Sequence, residues 1–294
     1  MTYLVKRKSW VRKRLRWVLS WIPAKTRERL AMRWRLGYWP NLSAPRTFNE
    51  KIAYRKLFDQ SPEYVELADK YAVRNFVASR VGNEHLAELV GIFEKAADIP
   101  FESLPNRFVL KGTHDSGSVV VVNEKQDIDL QSVVSWFDTE EFRNPLRLHN
   151  EWWYESIPPR IVVEESLVSE SGAPPWDYKV FCFDGSPLLI QVDADRFGSH
   201  KRSFFDTSWR LIDMALSFPS AGDLPRPNNL DGLIEIACRL SEGFDFVRVD
   251  LYELTGGRIV FGELTFAPDG GWGRFSPDVW DHRLGDYWSF VAEE

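Results

Sequence analysis

Two acidic residues near the C-terminus, Asp250 and Glu263, have the spacing of a metal-binding pair on a β-hairpin. They lie in alternating apolar runs at residues 246–252 and 258–265, and Gly256-Gly257 provides the turn between the runs. Because neighbouring strands lie about 5 Å apart, the two carboxylates can converge on one hard cation. Magnesium held by one or two carboxylates and completed by substrate phosphates is usual in nucleotide-using enzymes. Two solvated acids on a surface hairpin are the alternative that these residues alone leave open.

The rest of the chain predicts an α+β protein of 294 residues whose strands pair mostly antiparallel. A capping box formed by Thr47 and Glu50 indicates a helix start, and a second helix is predicted over residues 62–81. Further helices are predicted at residues 129–138 and 230–242. Strands are predicted at residues 86–93, 107–111, 119–122, 160–167, 178–183, 188–194 and 204–209, in addition to the C-terminal hairpin.

The composition is that of an ordinary globular protein, with 44% hydrophobic and 27% charged residues. Of the two cysteines, Cys182 falls in a predicted strand and Cys238 in a predicted helix. This argues against a disulfide scaffold or a zinc site and fits a reducing cytoplasm. No apolar stretch approaches the roughly 20 residues that span a bilayer, and no signal peptide is evident. We therefore expect a cytoplasmic protein.

The charge distribution is strongly asymmetric. Residues 1–46 contain thirteen Lys or Arg and one acid, Glu28, whereas the remainder contains 24 basic and 42 acidic residues. Tryptophans interleave with the basic residues, so this segment is predicted to be a basic helix that could lie on the anionic inner face of a membrane. The alternative is a helix whose tryptophans pack on the domain. Nucleic acid is the poorer partner, because the body of the protein is acidic and contains no recognisable binding module.

Two further groups of residues suit phosphate chemistry. Lys111 ends an apolar strand and could direct a cation at a nucleotide phosphate, and the small residues Ser116, Gly117 and Ser118 would let backbone N–H groups approach that phosphate. A surface lysine and a simple hairpin turn are the alternatives. The loop at residues 112–118 is neither a Walker A sequence nor a dinucleotide fingerprint.

A polar cluster lies between two predicted strands, at residues 193–202. Cations in such a cluster suit the negative charge of a transferring phosphoryl group or of a carboxylate. The candidates are Arg196, Lys201 and Arg202, and guanidinium groups suit this task because they bind carboxylate or phosphate oxygens in pairs. His200 could accept a proton from an incoming amine, or could be a solvated loop histidine.

Seven short motifs follow one another in order along the chain. They are TFNEK at 47–51, LADKYAVR at 67–74, FVLK at 108–111, THDSG at 113–117, DYKVFCF at 177–183, DRF at 195–197 and FGELTF at 261–266. With these motifs the chain resembles the ATP-grasp superfamily. More closely, it resembles the teichuronopeptide-biosynthesis-like family found in bacterial surface-polysaccharide gene clusters. Residues 1–46 lie largely outside the resemblance.

The resemblance implies an ATP-grasp fold, in which two α+β subdomains hold ATP between antiparallel sheets. It places Glu164, Glu165 and Leu167 at the hinge beside the adenine and ribose, with Asp177 as another candidate for the ribose. Lys179 would be a second phosphate ligand. From the resemblance we expect four segments: 1–46, a basic helical segment; 47–105, an α/β subdomain; 106–163, the central ATP-binding subdomain; and 164–294, the C-terminal subdomain with the metal site.

One residue departs from the superfamily pattern. Many members have Asn two positions after the metal-binding Glu, where this chain has Thr265. A threonine hydroxyl can bind magnesium directly or through water, although it is a weaker oxygen donor than an amide carbonyl. The resemblance therefore implies Asp250, Glu263 and Thr265 as the metal ligands and leaves the number of magnesium ions open.

The expected function is an ATP- and Mg²⁺-dependent carboxylate–amine ligase that works through an acyl phosphate. Its expected substrates are a uronic acid of a bacterial surface polysaccharide or lipid-linked glycan precursor and an amino acid or other amine. Two alternatives stay open. One is a glycan kinase on the same fold, and the other is a non-catalytic protein that binds glycan or membrane.

Overall fold

The computed structural model describes residues 21–145, 149–167, 175–194 and 200–290. The predicted site residue Arg196 and the first twenty residues of the predicted basic segment lie outside these ranges. The chain divides into two compact units, each assembled from separate stretches of sequence. Of the described residues, the first unit comprises 21–23, 62–76, 87–145 and 149–167, and the second comprises 24–61, 77–86, 175–194 and 200–290. The division into four segments stays a prediction.

The described residues form helices and strands in the proportions of an α+β protein, as predicted. The helices are α1 (Ala24–Leu36), α2 (Phe48–Phe58), α3 (Glu63–Ala68), α4 (Val73–Val81), α5 (Leu130–Phe137), α6 (Glu140–Arg143), α7 (Leu230–Ser241) and α8 (Val279–Tyr287). The strands are β1 (Leu89–Phe93), β2 (Phe108–Gly112), β3 (Val119–Val122), β4 (Ile161–Glu165), β5 (Asp177–Phe183), β6 (Ser186–Ala194), β7 (Lys201–Asp206), β8 (Leu211–Ile212), β9 (Ala215–Leu216), β10 (Phe246–Glu253), β11 (Ile259–Thr265) and β12 (Phe275–Ser276). None of the described helices is both long and apolar enough to cross a bilayer.

The first unit is built on a four-stranded antiparallel sheet with the order β1-β4-β2-β3. Alternate residues of β2, Phe108 and Leu110, enter a core that also contains Val133 and Phe137 of α5. Because successive side chains of a strand point to opposite faces, Lys111 projects from the other face of the sheet.

The second unit is built on a six-stranded antiparallel sheet with the order β11-β10-β5-β6-β7-β8. On one side, Cys182 of β5 lies against α7, with its Sγ 3.8 Å from the carbonyl oxygen of Ala237. On the other side, Phe181 and Phe183 pack against Phe48 of α2, with ring centroids 6.0 and 6.2 Å apart. The same side carries Lys179 further along β5, where apolar packing gives way to charged residues.

Helix α2 begins with the capping box that its sequence predicts. Thr47 Oγ1 accepts the N–H of Glu50, and the Glu50 carboxylate accepts the N–H of Thr47. The predicted hairpin turns are also present. Gly256 and Gly257 have φ values of 77° and 76°, which residues other than glycine adopt at a cost. Both cysteines are free thiols, in the predicted strand and helix.

Two expectations about secondary structure were wrong. The single helix predicted over residues 62–81 is two helices, α3 and α4, because Asp69 interrupts it. Asp69 Oδ1 accepts the N–H groups of Tyr71 and Ala72, a local turn that competes with the helix. The strand predicted at residues 204–209 is β7, which begins earlier and includes Lys201 and Arg202. These two residues therefore lie on a sheet and not in a connection between strands.

Candidate active site

Charged side chains cross one face of the second unit's sheet. Asp250 on β10 lies directly opposite Lys179 on β5 and opposite Glu263 on β11. Residues that face each other in antiparallel strands project to the same side of the sheet. The two acids that the sequence predicts to converge therefore share one face. Lys179, on the strand between β6 and β10, lies beside Asp250 on that face.

Asp250 is bound by two cations. Its Oδ2 accepts hydrogen bonds from Lys179 Nζ at 2.6 Å and from Arg248 Nη2 at 2.7 Å, and its Oδ1 accepts one from Arg248 Nε at 2.7 Å. The two contacts from Arg248 are the paired geometry in which guanidinium binds carboxylate most strongly. Lys179 Nζ also donates to Asp177 Oδ2 at 2.6 Å, so this lysine bridges two acids.

These groups are almost completely removed from solvent, yet they stay charged. Burial lowers the pKa of Lys179, but Asp250 and Asp177 outweigh it and the pKa ends above its ordinary value. Burial raises the pKa of Asp250, but Arg248 and Lys179 outweigh it and the pKa ends below its ordinary value. Each charge is therefore stabilised by its neighbours, and removing one partner would leave a buried charge uncompensated.

Glu263 is the accessible acid of this group. Its side chain is 34% exposed, whereas that of Asp250 is 3% exposed. Glu263 Oε1 accepts a hydrogen bond from Thr265 Oγ1 at 3.1 Å, and Thr265 Oγ1 accepts one from Arg248 Nη2 at 3.1 Å. Thr265 therefore links the buried arginine to the accessible carboxylate.

A second polar group lies on β6 and β7. Arg202 is opposite Asp193, and Arg202 Nε donates to Asp193 Oδ1 at 2.7 Å. Arg202 Nη1 also donates to Asp269 Oδ2 at 3.1 Å, and Gln191 Nε2 donates to Asp193 Oδ1 at 3.1 Å. Burial would raise the pKa of Asp193, but the hydrogen bond and the charge of Arg202 outweigh burial and lower this pKa to about 2.

The two groups form one continuous surface, because Lys179 lies opposite Gln191 and Asp177 lies opposite Asp193. We call this surface the charged face. Its ionic members are Asp177, Asp193, Asp250, Glu263 and Asp269 and the cations Lys179, Arg202 and Arg248. Five acids against three cations leave a formal charge of −2.

The charged face fits a nucleotide-bound magnesium ion. Within the described ranges, no group of three or more His, Cys, Asp or Glu side chains is placed to hold a metal. Magnesium in nucleotide sites needs only one or two carboxylates, since phosphates and water complete its octahedron. Glu263 is the accessible carboxylate of the two and lies opposite Asp250 on the neighbouring strand. Both oxygens of Asp250 already accept hydrogen bonds from Lys179 or Arg248, so Asp250 could bind the ion only after one of these cations moves away from it. The negative excess of the charged face favours a divalent cation.

The first unit has a charge cluster of its own. Glu164 on β4 accepts Lys111 Nζ at 2.7 Å and Arg74 Nη1 at 2.8 Å. The Glu164 side chain is 9% exposed and that of Lys111 is 26% exposed. The predicted hinge acid is therefore held by two cations, of which Lys111 retains a solvent-accessible surface.

In the loop between β2 and β3, backbone N–H groups already donate to a carboxylate of the same loop. Asp115 Oδ1 accepts the N–H groups of Gly117 at 3.2 Å and Ser118 at 2.9 Å, and its Oδ2 accepts Ser118 Oγ at 2.6 Å. Ser116 and Gly117 are exposed, whereas Ser118 is buried. A phosphate that used the N–H groups predicted to approach it would have to displace Asp115.

Two other residues predicted near the hinge have different surroundings. Glu165, at the end of β4, accepts the N–H of Glu88 through its Oε1 at 3.0 Å and also pairs with Glu88 through the backbone. Leu167 lies two residues beyond β4 and is partly exposed.

The residues predicted to be catalytic are only partly brought together. Arg202 belongs to the charged face, whereas Lys201, its neighbour on β7, is exposed. His200 Nε2 lies 3.5 Å from Asp193 Oδ1, and the His200 ring lies against Phe218 with centroids 3.9 Å apart.

Sequence reasoning missed several members of these clusters, above all Arg248, Asp269 and Arg74. Arg248 had a local signal, because it precedes Asp250 by two positions in an alternating run and so shares its face. Arg74 had no such signal, since it reaches Glu164 across 90 positions of sequence.

A cavity of about 540 Å³ lies near Arg202 in the second unit, although none of the residues that define the charged face lines it. Arg202 Nη1 donates to the carbonyl oxygen of Leu216 at 3.3 Å, and Leu216 on β9 pairs with Phe275 on β12, which lines the cavity. The volume is within the usual range for small-molecule sites. Its other lining residues include Tyr38, Arg46, Asn49, Arg274 and His282.

Comparison with known proteins identifies one family. Residues 50–289, most of the chain, match the sequence pattern of the family described as TupA-like ATP-grasp. No curated protein matches the chain.

Several solved structures match part of the chain at low sequence identity and with TM-scores below 0.5. An N5-carboxyaminoimidazole synthetase from Staphylococcus aureus complexed with ADP is 12% identical, with 78% of this chain and 53% of that chain covered and a TM-score of 0.43. A D-alanine–D-alanine ligase from Bacillus anthracis complexed with ATP is 14% identical, with 68% of this chain and 54% of that chain covered and a TM-score of 0.39. The ATP-grasp ligase PsnB complexed with minimal precursor, Mg and ADP is 10% identical, with 74% of this chain and 58% of that chain covered and a TM-score of 0.38. The chain spans about half the length of these structures.

Proposed function

Because the chain belongs to the TupA-like ATP-grasp family, we propose that it is an ATP-dependent carboxylate–amine ligase. The γ-phosphoryl group of ATP passes to a carboxylate oxygen and ADP leaves. The amine nitrogen then forms a bond to the acyl carbon, inorganic phosphate leaves, and the amine loses a proton. The observation that carries this proposal is the charged face, where cations that suit phosphate and carboxylate oxygens lie beside an accessible acid.

We propose that Glu263 holds magnesium, with Thr265 as a further ligand or as the residue that orients Glu263. Asp250 would be the second carboxylate ligand once Lys179 has moved from its Oδ2 to a phosphate oxygen. The ion would neutralise phosphate charge as the phosphoryl group transfers. Lys179 contacts phosphate oxygens in this proposal. Arg202, which Asp193 holds in a fixed orientation, binds the carboxylate or the acyl phosphate.

For the first unit, the proposed nucleotide contacts are those that the sequence indicates. Lys111 binds a phosphate through its accessible ammonium group, and Glu164 fixes the position of that lysine. The backbone of the loop at Ser116, Gly117 and Ser118 binds phosphate after Asp115 turns away. The remaining proposed contacts are Glu165 and Leu167 for the adenine and, in the second unit, Asp177 for the ribose.

The proposed carboxylate substrate is a uronic acid of a surface polysaccharide or of its lipid-linked precursor, and the amine comes from an amino acid or a similar molecule. The cavity near Arg202 supports a sugar-sized substrate, because it combines aromatic walls with polar groups such as Asn49 and Arg274. Arg196, Lys201 and His200 are proposed to contact the substrates. We propose that the chain works in the cytoplasm, next to the membrane face where lipid-linked precursors are built.

The test is a measurement of ADP release with ATP, Mg²⁺, a uronate-containing glycan and a mixture of amino acids. The proposal requires release that depends on both the glycan and the amine, and a product that contains an amide. ADP release that does not depend on the amine and that leaves phosphate on the sugar would identify a kinase. Absence of calorimetric binding to a non-hydrolysable ATP analogue with Mg²⁺ would identify a non-catalytic protein.

Matched variants connect this activity to the charged face. Lys179→Met removes the central cation, and Lys95→Met removes an exposed lysine far from it in the sequence. Activity should be lost in the first variant and retained in the second. Equal activity of the two variants would contradict the proposed role of the charged face.

A further inference from the structure

Helix α1 has an unusual distribution of charge. Its thirteen residues include five Lys or Arg and a single acid, Glu28. Glu28 is completely buried and accepts Lys56 Nζ at 2.7 Å and Trp272 Nε1 at 2.6 Å. The solvent-facing surface of this helix is therefore basic and contains no carboxylate.

One side of α1 packs within the second unit. Glu28, Met32 and Leu36 recur every four residues, so they form one stripe along the helix. Met32 is completely buried in a cluster with Leu42 and Ala53, and Leu36 packs against the same cluster. The orientation of the helix is thereby fixed.

The opposite side presents large apolar side chains to solvent. Leu30 and Trp34 lie two positions from the packed stripe, a rotation of about 200° around the helix. Trp34 is 79% exposed and Leu30 is 49% exposed, and Trp39, just beyond the helix, is 57% exposed. The sequence alone left open whether tryptophans here pack on the domain. Trp34 and Trp39 do not pack on the domain, whereas Trp10 and Trp17 lie outside the described residues and their packing stays a prediction.

Arginines flank this apolar stripe. Arg35 lies over the Trp34 ring at 5.1 Å from its centroid, and Arg29 lies over the Trp39 ring at 5.7 Å. Arg33 Nη1 donates to the carbonyl oxygen of Gly37. We call the surface formed by Arg29, Leu30, Arg33, Trp34, Arg35 and Trp39 the Trp–Arg face.

We propose that the Trp–Arg face docks on the surface of an anionic phospholipid bilayer. Tryptophan and leucine would enter the boundary between headgroups and acyl chains, while the flanking arginines bind lipid phosphates. Charge complementarity selects this partner, because basic side chains surround the apolar stripe and the rest of the chain is strongly acidic. An acidic body is repelled by the same membrane, so contact through this face also orients the protein.

The test is cosedimentation of the full chain with vesicles of phosphatidylcholine containing roughly one third phosphatidylglycerol. Binding should be strong at low salt and negligible on pure phosphatidylcholine. Leu30→Ala with Trp34→Ala should weaken binding by roughly tenfold or more. Arg33→Gln with Arg35→Gln should weaken it by about 25-fold at low salt, at about fivefold per arginine, and by much less at high salt.

Two substitutions elsewhere on the second unit serve as controls. Tyr287→Ala removes a ring that is 53% exposed, and Arg226→Gln removes an exposed arginine. Both variants should bind vesicles like the unaltered chain. Equal losses in control and test variants, or equal binding to neutral and anionic vesicles, would overturn the proposal. So would self-association that depends on Trp34 in a chain that binds no vesicles, because a second copy would then be the partner. None of these readouts requires ligase activity.

Discussion

Lys179 is the residue whose removal tests the charged face most directly. Its Nζ contacts both Asp177 and Asp250, and all three side chains are at most 7% exposed. Breaking a buried ion pair from one side costs about 3–5 kcal/mol. For Lys179→Met we expect the lower end, about 3 kcal/mol, because Arg248 continues to bind Asp250 through two hydrogen bonds.

The pH dependence separates this electrostatic cost from a packing defect. The pKa of Asp250 is lowered in the folded chain, so its stabilising contribution is present above the ordinary carboxyl pKa and is lost as the pH falls. Without Lys179, the pKa of Asp250 rises in the folded state, because one of the two cations that lower it is gone. The deficit of the variant should therefore be greatest near neutrality and shrink as the pH falls through this raised pKa.

The measurement is urea unfolding followed by circular dichroism at several pH values. Lys201→Met is the matched control, since Lys201 lies on the same sheet but is exposed, and it should change the free energy of unfolding by less than about 0.5 kcal/mol. Adding Asp177→Asn to Lys179→Met should restore part of the loss, because the second change removes a charge that the first left uncompensated. A Lys179→Met variant as stable as the control at neutral pH would refute the reasoning.

Three other outcomes are expected. Glu263→Gln should lower the affinity for a non-hydrolysable ATP analogue about tenfold with Mg²⁺ present and little without it. Calorimetry that finds equal losses in both conditions would count against Glu263 as a metal ligand. Thr265→Val should reduce stability by about 1 kcal/mol, because Arg248 and Glu263 each lose a hydrogen-bond partner, while Thr265→Ser should not. Unfolding curves that rank Val and Ser equally would contradict this. Cys238, which is exposed, should react quickly with a disulfide reagent, whereas Cys182 should react only on unfolding, because burial raises the pKa of its thiol to about 12. Two equally fast thiols would contradict the buried position of Cys182.

The sequence was most informative about features that depend on residues a few positions apart, such as the alternation of side chains along a strand. Alternation predicts the strands β10 and β11, and the turn glycines predict their hairpin. The capping box at Thr47 and Glu50 depends on residues three positions apart. These features follow from short-range stereochemistry, and the structure confirms them. The pairing of Asp250 with Glu263 does not follow from it, because the register next to the turn would pair Asp250 with Gly262, and a one-residue shift between Asp250 and Leu251 brings Glu263 opposite Asp250 instead.

Contacts that depend on distant residues or on rotamers could not be read in this way. Arg74 meets Glu164 only because a helix lies beside a sheet formed later in the chain. The break between α3 and α4 depends on the side chain of Asp69, which accepts backbone N–H groups that a continuous helix would use. The pattern of Arg248 and Asp250 indicated a shared face, but their paired hydrogen bonds require a specific side-chain conformation.

The charged face combines a fixed part and an open part, and this division has a physical consequence. Asp250 holds both Lys179 and Arg248, so under the proposed function these cations would need little reorganisation to stabilise phosphate charge. Glu263 retains exposed surface, and its contacts with Arg248 at 3.7 Å and with Thr265 at 3.1 Å both involve Oε1, so under the proposed function Oε2 could take a ligand while both contacts are kept. If all the acids were as tightly held as Asp250, binding a cation would require costly rearrangement of the core. If all were as exposed as Glu263, water would screen the charges and weaken their effect on a transferring phosphoryl group.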